Sequence, residues 1–161
     1  MTAMSTTTAG PTITPVTASR PESLRQLEHE VGVLIRRIRR VIGERSRAVH
    51  PDLQPASYLL LAYLAESGPM RSSAIAGTFD VDKGAISRQV QHLVDLGLVD
   101  RQPDPDDGRA TLVSASETAV RRLAEVSTER RRWLDERLSE WSDDDLRGLV
   151  EALGRYNGAL D

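Results

Sequence analysis

Over residues 22–49 apolar side chains return at Leu24, Leu27, Val31, Leu34, Ile35, Ile38, Val41 and Ile42. Steps of three and four place them along one side of a helix for about five turns, and Pro51 ends it. Pro55 suits the first turn of a second helix, running to Ser67. That stretch, PASYLLLAYLAES, is apolar nearly all round, so a buried helix is predicted, stopped by Gly68 and Pro69. A short helix is expected over residues 72–78, then a turn at Asp80 and Val81. Asp82 can accept hydrogen bonds from the free N–H groups of a helix over residues 83–96, and Gly97 stands where a left-handed terminator is wanted.

Residues 98–101 then read as a strand, PDPDDGR as a turn, and ATLVS at 110–114 as the returning strand of a hairpin. A long helix follows, with Glu117 in its first turn and a drifting stripe of Val120, Leu123, Val126, Trp133, Leu134, Leu138 and Trp141. Ser142 opens a last helix, whose first turn holds Asp143, Asp144 and Asp145. Its core face is expected at Leu146, Leu149, Val150, Leu153 and Tyr156, with Trp133, Trp141, Tyr58 and Tyr63 also in core positions. Three consecutive helices followed by a hairpin predict a mainly α fold with a small two-stranded β-wing. The winged helix-turn-helix lobe covers residues 53–115, and dimerisation helices cover 22–50 and 116–160 within a single domain at 22–161. The outer helices carry more apolar stripe than so small a lobe can cover, which predicts a homodimer. Residues 1–21, rich in Thr, Ser, Ala and Pro, read as a flexible tail.

Composition narrows the function. The 161 residues contain no cysteine, which excludes disulfides, thiolate metal sites and thiol redox sensing. The longest apolar run, residues 58–65, is far short of the roughly 20 residues that a membrane helix needs. No basic stretch leads into an apolar one at the N-terminus, so the expected location is the cytoplasm. Net charge is −3, and residues 71–113 carry four Arg and Lys83 against seven acids. Bulk charge therefore does not announce nucleic acid, and any such role must rest on which charges face outward.

On the helix at 83–96, Ile86, Val90 and Leu93 share one face at ~100° per residue. The opposite side offers Gly84, Arg88 and Gln91, with Ser87 on the flank and Lys83 in the first turn. Small, donor-rich groups of this kind suit a major groove: Arg88 can take a guanine edge or a phosphate, and Gln91 can read adenine. Asp95 lies at the far end of the same face. In the hairpin, Arg109 follows acids expected to hold its guanidinium or shape the loop, and an arginine at a hairpin tip can enter a narrow minor groove.

From Glu22 to the C-terminus the chain resembles the MarR family of bacterial transcription regulators. The resemblance rests on FDVDKGAISRQVQHLVDLGLVDRQPDPDDGRATLVSASETA, with the aspartate-x-arginine wing signature at Asp107-Gly108-Arg109 and Leu96-Gly97-Leu98-Val99 closing the recognition helix. Ala115, Ser116 and Ala119 depart from the Leu-Thr and Gly often found at the start of the next helix. The resemblance implies an obligate homodimer whose two winged lobes bind double-stranded DNA at a pseudo-palindrome, and release by a small-molecule effector. Carried over by position, Lys83, Gly84, Ser87, Arg88 and Gln91 would contact the groove, and Arg109 would be the wing finger. Ser72 and Ser73 would touch phosphates, and Asp107 would support the wing.

Other patterns are weaker. Counted as a calcium loop from Asp104, the turn has Gly108 and Ala115 where oxygen ligands belong. His29, His50 and His92 lack paired-ligand spacing, so no metal or cofactor is expected. Arg36, Arg37, Arg39 and Arg40 cannot all join the apolar stripe and read as a solvated or interface face. No nucleophile with a partner base, phosphate loop or dinucleotide fingerprint occurs, so no enzyme is expected. The expected function is a sequence-specific DNA-binding regulator, a ligand-responsive repressor. The alternative is a winged-helix module that binds protein and never DNA.

Overall fold

A computed structural model describes residues 19–160, and the larger part of the expected tail lies outside them. Helix α1 (Arg20–Val49) begins two residues before the predicted helix, so Arg20 and Pro21 belong to it rather than to the tail. Pro21 is admissible there because the first turn of a helix needs no N–H donor. The chain divides into two units, one ending at Arg39 and the other starting at Arg40. The described part of the first is the N-terminal stretch of α1, with Leu24, Leu27, Leu34, Ile35 and Ile38 exposed.

In the second unit the core forms around α2 (Pro55–Ser67), which buries Leu60, Leu61 and Leu64. Ile75 and Ala76 of α3 (Ser72–Phe79) and Ile86, Val90 and Leu93 of α4 (Lys83–Asp95) pack into the same cluster. Between α3 and α4, Asp80 is left-handed at φ 49°, a conformation Asp tolerates better than most residues. Asp82 caps α4 as expected, its carboxylate accepting from the Ala85 N–H at 3.1 Å.

The far end of α4 closes as its sequence requires. Gly97 takes φ 68°, its N–H donates to the Val94 carbonyl, and the Leu98 N–H donates to that of Leu93, both at 2.9 Å. These paired bonds occupy carbonyls that the last turn would otherwise leave free. The Ser116 hydroxyl donates to the Gly97 carbonyl at 2.9 Å and accepts from the Ala119 N–H, capping α5 (Glu117–Arg137). One side chain thus locks the end of α4 to the start of α5, and the departure at Ala115-Ser116 leaves this cap intact.

The sheet has three strands, not two: β1 (Met70–Arg71), β2 (Val99–Asp104) and β3 (Asp107–Ala115), in the order β1-β3-β2 and antiparallel throughout. A two-residue strand shows no period in sequence, which is why β1 escaped prediction. The wing strands also run further than expected, leaving only Pro105 and Asp106 between them, with an irregular register at Pro103/Asp104.

Two further expectations need correction. The long helix ends at Arg137 with Leu138 as its cap, so Trp141 lies in the link to α6 (Asp143–Gly158). Trp133 and Trp141 are 52% and 43% exposed rather than core, and no residue of α6 is buried. Leu149, Val150 and Leu153 face solvent in the single chain. Ser142 does cap α6, in a reciprocal arrangement with Asp145. No described helix is long and apolar enough to cross a membrane.

Candidate nucleic-acid interface

Burial of Ile86, Val90 and Leu93 fixes the rotation of α4, and that rotation turns Lys83, Gly84, Ser87, Arg88 and Gln91 outward, all exposed. Among the described residues neither Lys83 nor Arg88 has a carboxylate within 4.0 Å, so both charges remain free for an outside anion. Space at Gly84 is tight: a Cβ there would lie 2.8 Å from Asp82 Oδ2 and 3.5 Å from Arg88 Nη1. The Gln91 amide donates to Asp95 Oδ1 at 2.7 Å.

Beside this face runs an open groove lined by Gln54 just before α2, by Ser57 of α2, and by Ala85, Arg88, Gln89 and His92 of α4. His92 Nε2 lies 3.2 Å from the Asp52 carbonyl, tying the last turn of α4 to the turn before α2. At the start of α3, Ser73 is exposed and Ser72 half-buried.

Arg109 lies on β3 rather than at the very tip of the hairpin. Its backbone N–H donates to Asp107 Oδ1 at 3.1 Å, and its side chain is exposed. Of the two roles expected for the acids of the turn, they take the second: among the described residues they shape the loop through backbone N–H groups and hold the guanidinium of Arg71 rather than that of Arg109. Nε and Nη2 of Arg71 both lie 2.6 Å from Asp104 Oδ2, and Nη2 lies 3.8 Å from Asp107 Oδ2. Asp104 is only 7% exposed, and its second oxygen accepts from the Asp106 N–H at 2.9 Å. The Asp106 N–H and then the Arg71 guanidinium hold its carboxyl below the usual range, against a smaller opposing effect of burial. The hydrogen bond from Arg71 to Asp104 raises the Arg71 pKa in turn. Sequence reading passed over Arg71 because its partner lies 33 residues away and nothing local marks the pair.

Comparison with known proteins places this geometry. A family model described as MarR family matches residues 52–110, from the turn before α2 to the wing. The HTH-type transcriptional regulator YxaD of Bacillus subtilis is 33% identical over 134 residues, covering 83% of this chain and 92% of that protein. The chain belongs to the MarR family. It is therefore a MarR-family transcriptional regulator, with a DNA-binding winged helix built from α3, α4 and the β2–β3 hairpin. A second Bacillus subtilis regulator of the HTH type, YdgJ, is 26% identical over 83% of this chain and 81% of its own length. Solved structures agree in fold. RV1404 from Mycobacterium tuberculosis has a TM-score of 0.72 at 22% identity, over 86% of this chain and 94% of that one. A mutant MarR from E. coli complexed with operator DNA has a TM-score of 0.62 at 19% identity, over 86% of this chain and 98% of that one.

Proposed function

We propose that this MarR-family protein binds a pseudo-palindromic operator in double-stranded DNA as a homodimer, and that it is a repressor released by a small-molecule effector in the cytoplasm, at the nucleoid. One observation carries the DNA reading: the outward face of α4 presents Lys83, Gly84, Ser87, Arg88 and Gln91 together, its cations free of carboxylate partners among the described residues. In this reading Arg88 and Gln91 meet base edges, Ser72, Ser73 and Lys83 meet phosphates, and Gly84 lets backbone approach closely. Arg109 enters the adjacent minor groove, with Asp107 holding its backbone N–H. The mutant E. coli MarR that shares this fold was solved on operator DNA, which supports the same use here. The exposed stripes on the N-terminal part of α1 and on α6 support pairing of two copies, since a lone chain leaves them in water. A transcriptional regulator, not an enzyme, is also what the relatives are called.

The test is selection of bound fragments from genomic DNA with purified protein, followed by titration of the winning site. One recurring two-fold symmetric sequence is expected, with half-sites about 10–10.5 bp apart. Binding should weaken steeply as salt rises, through release of counterions. The net negative charge of the lobe favours the second reading, a winged-helix module that docks on protein. Enrichment of no fragment even at low salt would support that reading and overturn the first.

A further inference from the structure

The ion pair that holds the wing turn is not made by its signature arginine. Arg71 is the last residue before α3, and its backbone pairs with Leu112 of β3. Its guanidinium crosses to Asp104 at the base of the wing turn, with two nitrogens on one nearly buried oxygen. Asp104 in turn accepts the Asp106 N–H, so the carboxylate fixes the turn from inside while Arg71 fixes it from outside. Asp107 is drawn into the same cluster, and it is Asp107 that accepts the backbone N–H of Arg109. A continuous chain of polar contacts thus runs from the start of the helix-turn-helix to Arg109. Two-point arginine pairing fixes direction as well as distance, which a single ammonium cannot do.

We propose that Arg71 is a positioning residue for the wing arginine: through Asp104 and Asp107 it holds Arg109 at a set offset from the recognition helix, so that one lobe meets a major groove and the neighbouring minor groove together. The proposal rests on the DNA reading above. It makes Arg71 necessary for wing contacts although Arg71 itself touches no base.

The experiment is a double-mutant cycle on the selected operator fragment, using the full-length dimer: Arg71→Met, Asp104→Asn, Arg109→Ala and the two pairwise combinations with Arg109→Ala. Arg71→Met and Asp104→Asn should each weaken binding about tenfold, the scale of one lost groove contact. Neither should weaken it further once Arg109 is alanine. Hydroxyl-radical protection should fade in the minor grooves reached by the wings and persist where α4 lies. Arg71→Lys keeps the charge but not the two-point hold, so it should retain the folding midpoint and bind with intermediate affinity; it also serves if Arg71→Met fails to fold. Losses that add in full to that of Arg109→Ala, or wild-type binding by Arg71→Lys and Asp104→Asn, overturn the positioning role and leave the DNA reading standing. If Arg109→Ala binds as wild type does, the wing reading falls and takes this role with it.

Discussion

Gln91 and Asp95 are joined along one face of α4 by a 2.7 Å hydrogen bond from the amide nitrogen to the carboxylate. A carboxylate oxygen can accept only from the NH2 side of the amide, so the Gln91 carbonyl and its remaining N–H are left for an outside partner. That is the edge which pairs with adenine. In the proposed DNA complex, Asp95 would thereby fix which way Gln91 reads. Asp95→Asn, which can bond either end of the amide, should broaden base preference at a single operator position by about tenfold while binding to the best site changes little. Selection with randomised operators checks this. Broadening at several positions, or none, would count against it.

Gly84 leaves room for Asp82 to cap α4. Gly84→Ala sets a Cβ 2.8 Å from the capping oxygen, so the carboxylate must swing away from the Ala85 N–H. Loss of a cap costs about 1 kcal/mol, and replacing glycine by alanine in a helix returns about as much. Thermal stability should move little, by less than about 0.5 kcal/mol. Operator affinity should fall clearly, because the methyl group stands on the outward face. A melting curve and a binding titration on the same variant separate the two effects.

The wing clamp gives a pH dependence with a definite sign. The Asp104 carboxyl is held below its ordinary value when folded. Its contribution to stability is then fully present above the unfolded value near ~3.9 and is lost as pH falls through the lowered folded value. Asp104→Asn should lower the melting temperature at neutral pH. The gap to wild type should close only in acid, below about pH 4. Parallel melting curves from pH 7 to pH 2 test this; a gap constant across the range would contradict it.

Val150 is 68% exposed in the single chain and lies with Leu149 and Leu153 on a helix with no buried residue. Two copies covering these faces would remove that apolar surface from water. Val150→Asp should shift sedimentation from twice 17.7 kDa toward a single chain and abolish tight operator binding, with α-helical content largely kept. A wild-type protein that sediments as one chain at micromolar concentration would remove the basis for pairing.

Much of this was readable from local chemistry. Asp82, Ser116 and Ser142 announce helix starts because a short polar side chain there completes free N–H groups, and Gly97 announces a stop because its φ is positive. The outward set on α4 follows from the three buried positions that fix its rotation. What the sequence hides is non-local or too short for a period. Met70 and Arg71 form a strand only because β3 lies beside them, and Arg71 meets Asp104 across 33 residues. Trp133 and Trp141 read as core by type, but in the single chain they stay 52% and 43% exposed, and what lies over the Trp133 ring is the Arg137 guanidinium.

Two copies presenting helix and wing to one side of a duplex is the central claim, and a hydroxyl-radical footprint on the selected operator tests it most directly. Wild-type protein should protect two symmetric patches centred about one helical turn apart, flanked by minor-groove protection. Arg88→Ala should weaken binding by ~1–3 kcal/mol and blur one base position in each half-site, and Arg109→Ala should erase the flanks. A single unsymmetric patch, or protection unchanged in both variants, would contradict it.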